Sequence, residues 1–196
     1  CKRILRAKRR IKEDIERIFH LYTPQTTNEK SGEDETDFNL SNIIKESIEK
    51  LIEKGECHYI EFKATLEYDL KTNIRNKDLN KECLKSIAAF LNTDCGVLLI
   101  GVKDDGTIFG IEEDLKYVQN KNTDGFELKL RSLICDHLDP EPLGKIKVEF
   151  SKIENLAVCR IDIVPVSLDQ IIHLDNEVYI RDGNNKRKLT GRKLTD

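Results

Sequence analysis

The feature that most constrains the fold is a short apolar run, Val97-Leu98-Leu99-Ile100-Gly101-Val102, with Gly96 directly before it. Such a run indicates a strand that is buried on both faces at the centre of a sheet. Helical patterns at residues 78–92 and 124–138 accompany the predicted strands but do not alternate strictly with them. The sequence therefore predicts an α+β sandwich rather than a doubly wound nucleotide-binding fold.

The other elements follow from periodicity and turn residues. Ser41 is predicted to cap a first helix that Gly55 ends, and a last helix is predicted from Thr190. Residues 66–77 are predicted to form a loop, and Asp105-Gly106 a hairpin turn into residues 107–110. Further strands are predicted near 58–65, 145–151, 156–164, 171–174 and 177–182, and a short helix near 112–119.

Charge is distributed unevenly along the chain. Lys and Arg total 33 against 36 Asp and Glu, and the net charge of −3 excludes a uniformly basic protein that coats nucleic acid. Residues 1–12 nevertheless contain seven basic residues and no acid, and residues 181–193 contain six basic residues and one acid. A local contact between these basic segments and phosphate groups is therefore not excluded by the net charge.

Residues 1–22 are predicted to form a basic helical arm. Ile4, Ile11 and Ile18 recur every seven residues, with Ile15 and Tyr22 at intervening positions, which is typical of a short coiled coil. Three interpretations stay open: a solvated helix that forms a homo-oligomer, a juxtamembrane segment that tethers the protein to a membrane, and a nucleic-acid-binding arm. Residues 23–40 are predicted to be a flexible acidic linker, and residues 41–196 the folded domain.

No apolar run reaches the ~18 residues that a membrane helix needs, and no secretory signal pattern is present. We therefore expect a cytoplasmic protein, or one at the cytoplasmic face of a membrane if the protein continues before Cys1. The six cysteines form no C-x-x-C pair and lack zinc-ribbon spacing with the four histidines. Buried free thiols are expected, and no zinc site is evident.

Two acidic motifs could carry chemistry. Glu61 and Lys63 share one face of the predicted strand, with Phe62 on the other, and Glu56 lies just before it. Asp104-Asp105-Gly106 follows the buried strand, where a carboxylate could meet others at a sheet edge. Each motif has a purely structural alternative, namely a surface Glu–Lys pair and ordinary turn chemistry.

The third motif is the basic run from Arg181 to Lys193. Gly183 and the two asparagines after it predict a tight turn that projects Lys186, Arg187 and Lys188 outward, where they could bind phosphate groups. A solvated basic face is the alternative. No P-loop, no G-x-G-x-x-G and no G-x-S-x-G occurs.

Three strings together resemble the Schlafen-type AlbA-like domain family. They are Glu56…Glu61-Phe62-Lys63, the run from Ile87 to Gly106, and Tyr179-Ile180-Arg181-Asp182-Gly183-Asn184-Asn185 with Lys188-Leu189-Thr190. The likeness covers about residues 46–196. It implies a mixed sheet flanked by helices that binds RNA or DNA, in a regulatory or defence protein. The expected contact residues are Lys63, Arg181, Lys186, Arg187 and Lys188.

The resemblance also implies a metal-dependent ribonuclease, the activity of vertebrate relatives. Its three acids would be Glu56, Glu61 and Asp104, or Asp105 in a shifted register, holding one or two Mg²⁺ or Mn²⁺ ions that activate water. Vertebrate members pair two such lobes, so this single lobe would need a dimer to rebuild their cleft. A non-catalytic assembly domain, tethered to a membrane or partner through residues 1–22, is the third hypothesis.

Overall fold

The computed structural model of the protein describes Ile43 and residues 45–190. The predicted arm at residues 1–22, the linker at 23–40 and any helix beyond Thr190 lie outside these residues. The expected homo-oligomer and membrane tether therefore stay predictions. Within the described part of the chain, no helix has the length and apolar character needed to cross a membrane.

A four-stranded sheet forms the centre of the domain. Its members, in spatial order, are β1 (Ile60–Lys63), β4 (Gly96–Ile100), β7 (Leu156–Ile163) and β6 (Ile146–Ile153). β1 runs parallel to β4, whereas β4 with β7 and β7 with β6 pair antiparallel. The sheet is therefore mixed, as the family resemblance implies, and β4 occupies the central position that its apolar run predicts.

The helices lie on both faces of this sheet. They are α1 (Ile48–Lys54), α2 (Leu79–Asn92), α3 (Glu112–Leu115) and α4 (Thr123–His137), with 3₁₀ turns at Gln119–Lys121 and Leu143–Lys145. Val97 and Leu99 of β4 pack in a cluster with Leu51 of α1. Leu98 and Ile100 point to the opposite face, into a larger core shared with α2 and α4. The α+β prediction is thus confirmed, and β4 is buried on both faces.

Two helix predictions were wrong in part. Ile43 and Lys45 are helical, but Ser47 has extended backbone angles that interrupt the predicted helix, so α1 begins at Ile48; Ser41 lies outside the described residues. Gly55 ends α1 as predicted, in a conformation with φ of 72° that favours glycine. Helix α3 stops at Leu115, and the backbone turns to positive φ at Asn120 and Lys121 instead of continuing to residue 119 as a helix.

The prediction of a loop over residues 66–77 was also wrong in part. β2 (Tyr68–Asp69) and β3 (Ile74–Arg75) form a short antiparallel pair there. The buried carboxylate of Asp114 accepts hydrogen bonds from the backbone N–H groups of Leu66, Glu67 and Tyr68, at 2.7–2.8 Å. A distant side chain therefore orders a segment whose own residues carry no strand signal.

Two further antiparallel pairs complete the domain. β5 (Leu138–Asp139) pairs with β8 (His173–Leu174), and β9 (Val178–Asp182) pairs with β10 (Asn185–Leu189). Strand β9 packs against α2, whose amide side chain of Asn92 donates to the carbonyls of Ile172 and Tyr179 and accepts from the N–H of Ile172. These bonds place the β9–β10 hairpin next to β1.

Candidate nucleic-acid interface

Strand β1 presents Glu61 to the α2 side of the sheet. Ile60 and Phe62 enter the core on the α1 side, and Glu61 and Lys63 point the other way because side chains alternate along a strand. The predicted sharing of one face is confirmed. Glu61 is only 5% exposed, however, so it is not part of a surface pair.

Three cations and one hydroxyl converge on the carboxylate of Glu61. Lys63 Nζ lies 2.9 Å and Lys186 Nζ 2.8 Å from Oε1, and Ser86 of α2 donates to the same oxygen at 3.2 Å. Arg181 Nη1 donates to Oε2 at 2.5 Å. Burial alone would raise the pKa of Glu61, but the charges and hydrogen bonds of Lys63 and Lys186 outweigh it and lower the pKa to about 2. Glu61 is therefore ionised at neutral pH.

Arg181 fixes the β9–β10 hairpin against β1. Its guanidinium also donates to the carbonyl of Cys57 at 2.8 Å and lies 4.8 Å from the centre of the Phe90 ring. Its backbone N–H donates to Thr93 Oγ1 at 2.9 Å. The side chain of Arg181 has no exposed surface, so it serves as the buried counter-charge of Glu61.

His58 makes a second connection to the same hairpin. Its Nε2 lies 2.6 Å from Asp94 Oδ2, and its Nδ1 lies 3.2 Å from the carbonyl oxygen of Gly183 in the β9–β10 turn. A protonated ring can donate to both acceptors. Neither His58 nor Ser86 could be predicted as a contact from the sequence, since an isolated histidine and a helical serine carry no local signal of it.

The basic run projects outward only in part, since Arg187 and Lys188 keep exposed side chains whereas Lys186 is only partly exposed. Lys186 lies opposite Arg181 in the hairpin and Lys188 opposite Tyr179, so both point towards α2, whereas Arg187 lies opposite Ile180 on the other face. Lys186 turns inward to Glu61 instead of outward, because the buried carboxylate attracts its charge. Lys188 pairs with Glu177, and Arg187 Nη1 pairs with Asp182 at 2.7 Å.

Four lysines lie along one connected set of contacts, and we call them the lysine face: Lys63, Lys85, Lys186 and Lys188. Glu82 joins two of them, because it lies 3.8 Å from Lys186 Nζ and 2.7 Å from Lys85 Nζ. Lys85 Nζ lies 5.8 Å from the centre of the Tyr179 ring, and Tyr179 is the hairpin partner of Lys188. Together with the buried Arg181, these four lysines make five cations. They lie among only three carboxylates, those of Glu61, Glu82 and Glu177.

Glu56 lies near this cluster, since its charge acts with that of Glu61 to raise the pKa of Lys63 against the effect of burial, whereas Asp104 lies in a separate exposed turn. Glu56 Oε1 accepts a hydrogen bond from the backbone N–H of Phe62 at 2.8 Å, so it covers an open edge of β1. Asp104 is exposed in the turn that the Gly106 N–H closes on the carbonyl of Lys103, at 2.8 Å. Asp105 accepts from the N–H of Thr107 at 2.9 Å, as its turn interpretation predicts.

These acids do not fit a shared metal site in this arrangement. In Ile43 and residues 45–190, no group of three or more His, Cys, Asp or Glu side chains is close enough to hold a metal ion. Glu61 already has three cationic partners, and one oxygen of Glu56 accepts a backbone hydrogen bond.

The cysteines behave largely as predicted. Cys83 and Cys159 are buried free thiols and Cys95 is buried as well, whereas Cys57 is half-buried and Cys135 is exposed. Burial raises the pKa of Cys83 to about 12, so this thiol stays protonated beside the lysine face.

Comparison with known proteins adds a family likeness and a fold likeness. A family model described as "Schlafen, AlbA_2" matches residues 56–190. A crystal structure of the DIP2311 protein from Corynebacterium diphtheriae has a TM-score of 0.53 and 18% sequence identity, and the match covers 76% of this chain and 26% of that one. The chain thus spans about a quarter of that protein, and the likeness extends to the fold alone. No curated protein sequence matches the chain.

Proposed function

This chain belongs to the Schlafen AlbA_2 family, and on that premise we propose that its folded domain binds nucleic acid through the lysine face. One observation carries this proposal. Lys63 and Lys186 are far apart in the sequence, yet their ammonium groups both contact one oxygen atom of Glu61. Both lysine side chains remain partly exposed, at 20% for Lys63 and 17% for Lys186. A phosphodiester that approaches this face reaches two fixed cations at once.

The electrostatics of the face favour a local contact over bulk attraction. The net charge of −3 gives no general pull on a polyanion, so affinity must come from cations held in place. Glu61, itself held by Arg181, fixes Lys63 and Lys186 from behind, which reduces the side-chain entropy lost on binding. Lys85 and Lys188 extend the face along α2 and β10 and supply further phosphate contacts.

The ribonuclease implied by the family resemblance stays a prediction. It needs Glu56, Glu61 and Asp104 as joint metal ligands, and the occupied carboxylate of Glu61 does not support that role. Binding through the lysine face requires none of these acids to hold a metal.

The proposal is tested by fluorescence anisotropy of the full chain with labelled single-stranded RNA, single-stranded DNA and duplex DNA over a range of salt concentrations. The double variant Lys85→Glu with Lys188→Glu should bind at least about tenfold more weakly. The slope of log affinity against log salt should fall by about 1.4 for a single strand, since each lost phosphate contact removes ~0.7. RNA recovered after incubation with Mn²⁺ reports any cleavage in the same experiment.

The matched control is the double variant Lys147→Glu with Lys152→Glu, which reverses two exposed lysines on β6 at the far edge of the sheet. This variant should bind with nearly wild-type affinity. Equal loss in the control and in the variant of Lys85 and Lys188 would assign binding to bulk charge and would contradict the proposal, as would undetectable binding by the wild type at low salt.

A further inference from the structure

Glu61 is surrounded by the kind of environment that proteins offer to a phosphate group. Both of its oxygens are engaged, Oε1 by two ammonium groups and the hydroxyl of Ser86, and Oε2 by a guanidinium. Lysine, arginine and hydroxyl donors are the groups that commonly bind phosphate oxygens. The protein fills this environment with its own carboxylate.

The three cations differ in how far a ligand can reach them. Arg181 has no exposed side-chain surface and also donates to backbone carbonyls of the segment before β1, so it is committed to Glu61 and the fold. Lys63 and Lys186 keep exposed surface, at 20% and 17%. A ligand from solvent can therefore approach these two lysines but cannot approach Arg181.

We propose that Lys63 and Lys186 form a binding subsite for a single phosphate group, and that Glu61 acts as a built-in anion that competes with the phosphate for these two lysines. This inference rests on the proposed function, because it names the position on the lysine face where a backbone phosphate would bind. Glu61 lowers the affinity of the subsite by repelling the phosphate and by holding the lysine charges. It also keeps the unliganded protein folded, since without a counter-anion the cations would repel one another.

This role differs from that of a metal ligand in a measurable way. A carboxylate that binds a metal assists an incoming phosphate through the metal, so its removal weakens phosphate binding. A competing carboxylate opposes the phosphate, so its removal strengthens binding. Unit charges about 4 Å apart interact strongly even near a protein surface, and the expected gain is therefore at least tenfold.

The experiment measures binding of inorganic phosphate to the full chain by calorimetry, at constant ionic strength set with chloride. The variant Glu61→Gln should bind phosphate at least tenfold more tightly than the wild type, and phosphate should raise its midpoint of thermal unfolding more. Manganese should give no comparable stabilisation of the wild type. Unchanged or weaker phosphate binding by Glu61→Gln, or a manganese stabilisation that this variant loses, would overturn the proposal.

A second variant keeps the test decisive if Glu61→Gln does not fold. Lys186→Gln removes one partly exposed cation and leaves Lys63 and Arg181 on Glu61. It should weaken phosphate binding about tenfold, whereas Arg187→Gln, one residue away on the opposite face of the hairpin, should not. Equal phosphate affinity in Lys186→Gln and the wild type would contradict the subsite.

The two proposals can fail separately. If the wild type binds no nucleic acid but Glu61→Gln gains affinity for phosphate, the phosphate subsite is supported and the proposal of nucleic-acid binding is wrong. If the wild type binds nucleic acid through the lysine face but Glu61→Gln gains no affinity for phosphate, the proposal of nucleic-acid binding is supported and the competing role of Glu61 is wrong.

Discussion

Arg181 and Glu61 are 120 positions apart in the chain, yet their side chains form a 2.5 Å ion pair. The guanidinium is fully enclosed, and the carboxylate has almost no exposed surface. A pair of this kind is costly to break, because the partner that remains is a buried charge without compensation. It joins the first strand of the sheet to the last hairpin of the described domain.

Replacement of Arg181 by methionine should strongly destabilise the domain. The methionine keeps much of the side-chain volume but leaves Glu61 with fewer counter-charges and two backbone carbonyls with fewer donors. We expect a loss of about 3–5 kcal/mol in the free energy of unfolding, measured by urea denaturation. The control Arg187→Met breaks only a half-exposed pair with Asp182 and should cost less than about 1 kcal/mol. Similar losses in both variants would show that burial of the pair is not what matters.

The stability that Glu61 contributes should depend on pH in the acidic range. Its pKa is lowered from 4.5 to about 2 in the folded protein, against the effect of burial, so the folded state favours the ionised form. The contribution is complete above pH 4.5 and is lost as pH falls towards 2. The measurement is urea denaturation of the wild type and of Glu61→Gln from pH 7 to pH 3. The difference in unfolding free energy between them should shrink at the acidic end. A difference that stays constant with pH would contradict the assignment.

Asn92 should be required for the attachment of β9 to α2. Its side-chain amide makes three hydrogen bonds with the backbone of Ile172 and Tyr179, all buried. Asn92→Leu leaves these groups without partners, and we expect a loss of about 3 kcal/mol or more in unfolding free energy. Amide hydrogen exchange at Ile172 should accelerate as well. The exposed Asn184 in the hairpin turn supplies the control, since Asn184→Ala should change stability by no more than about 0.5 kcal/mol.

Glu56 should act as a hydrogen-bond acceptor rather than as an essential charge. Its carboxylate covers the N–H of Phe62 on β1. Glu56→Gln keeps an acceptor oxygen and should change the unfolding free energy by less than about 0.5 kcal/mol, whereas Glu56→Ala should cost about 1–2 kcal/mol. Thermal and urea denaturation of both variants check this. Loss of a manganese-dependent RNA cleavage in Glu56→Gln, with stability unchanged, would instead support the ribonuclease prediction.

The sequence was sufficient to predict the elements that bury apolar residues at regular spacing. The run in β4 and the helical pattern of α2 are local signals, and both elements form close to their predicted bounds. The closing strand β10 was not predicted, because its residues are mostly polar and basic and only their distant partners make them a strand. Lys186 points inward because Glu61 is there, and nothing near Lys186 in sequence indicates this.

The candidate site could likewise be predicted only in part, because some of its contacts follow from local sequence and others join residues distant in the chain. The shared face of Glu61 and Lys63 follows from strand alternation, which sequence reveals. Sequence does not reveal how deeply that face is buried, and burial changes an ordinary Glu–Lys pair into a closed cluster of charges. The family resemblance suggested Glu61 as a metal ligand, whereas the packing of the β9–β10 hairpin adds two cationic partners, Arg181 and Lys186, to Lys63 of the same strand.

The position of the closing hairpin has a consequence for how the protein is made. During synthesis Glu61 emerges long before Arg181 and Lys186, so a nascent chain carries this carboxylate without two of its three partners. A chain that is terminated or clipped before residue 181 retains β1 and β4 but can assemble neither the buried ion pair nor the lysine face. Stability and nucleic-acid binding are thus both expected to require the last two strands. Truncated products should be unstable and should not bind nucleic acid through the lysine face.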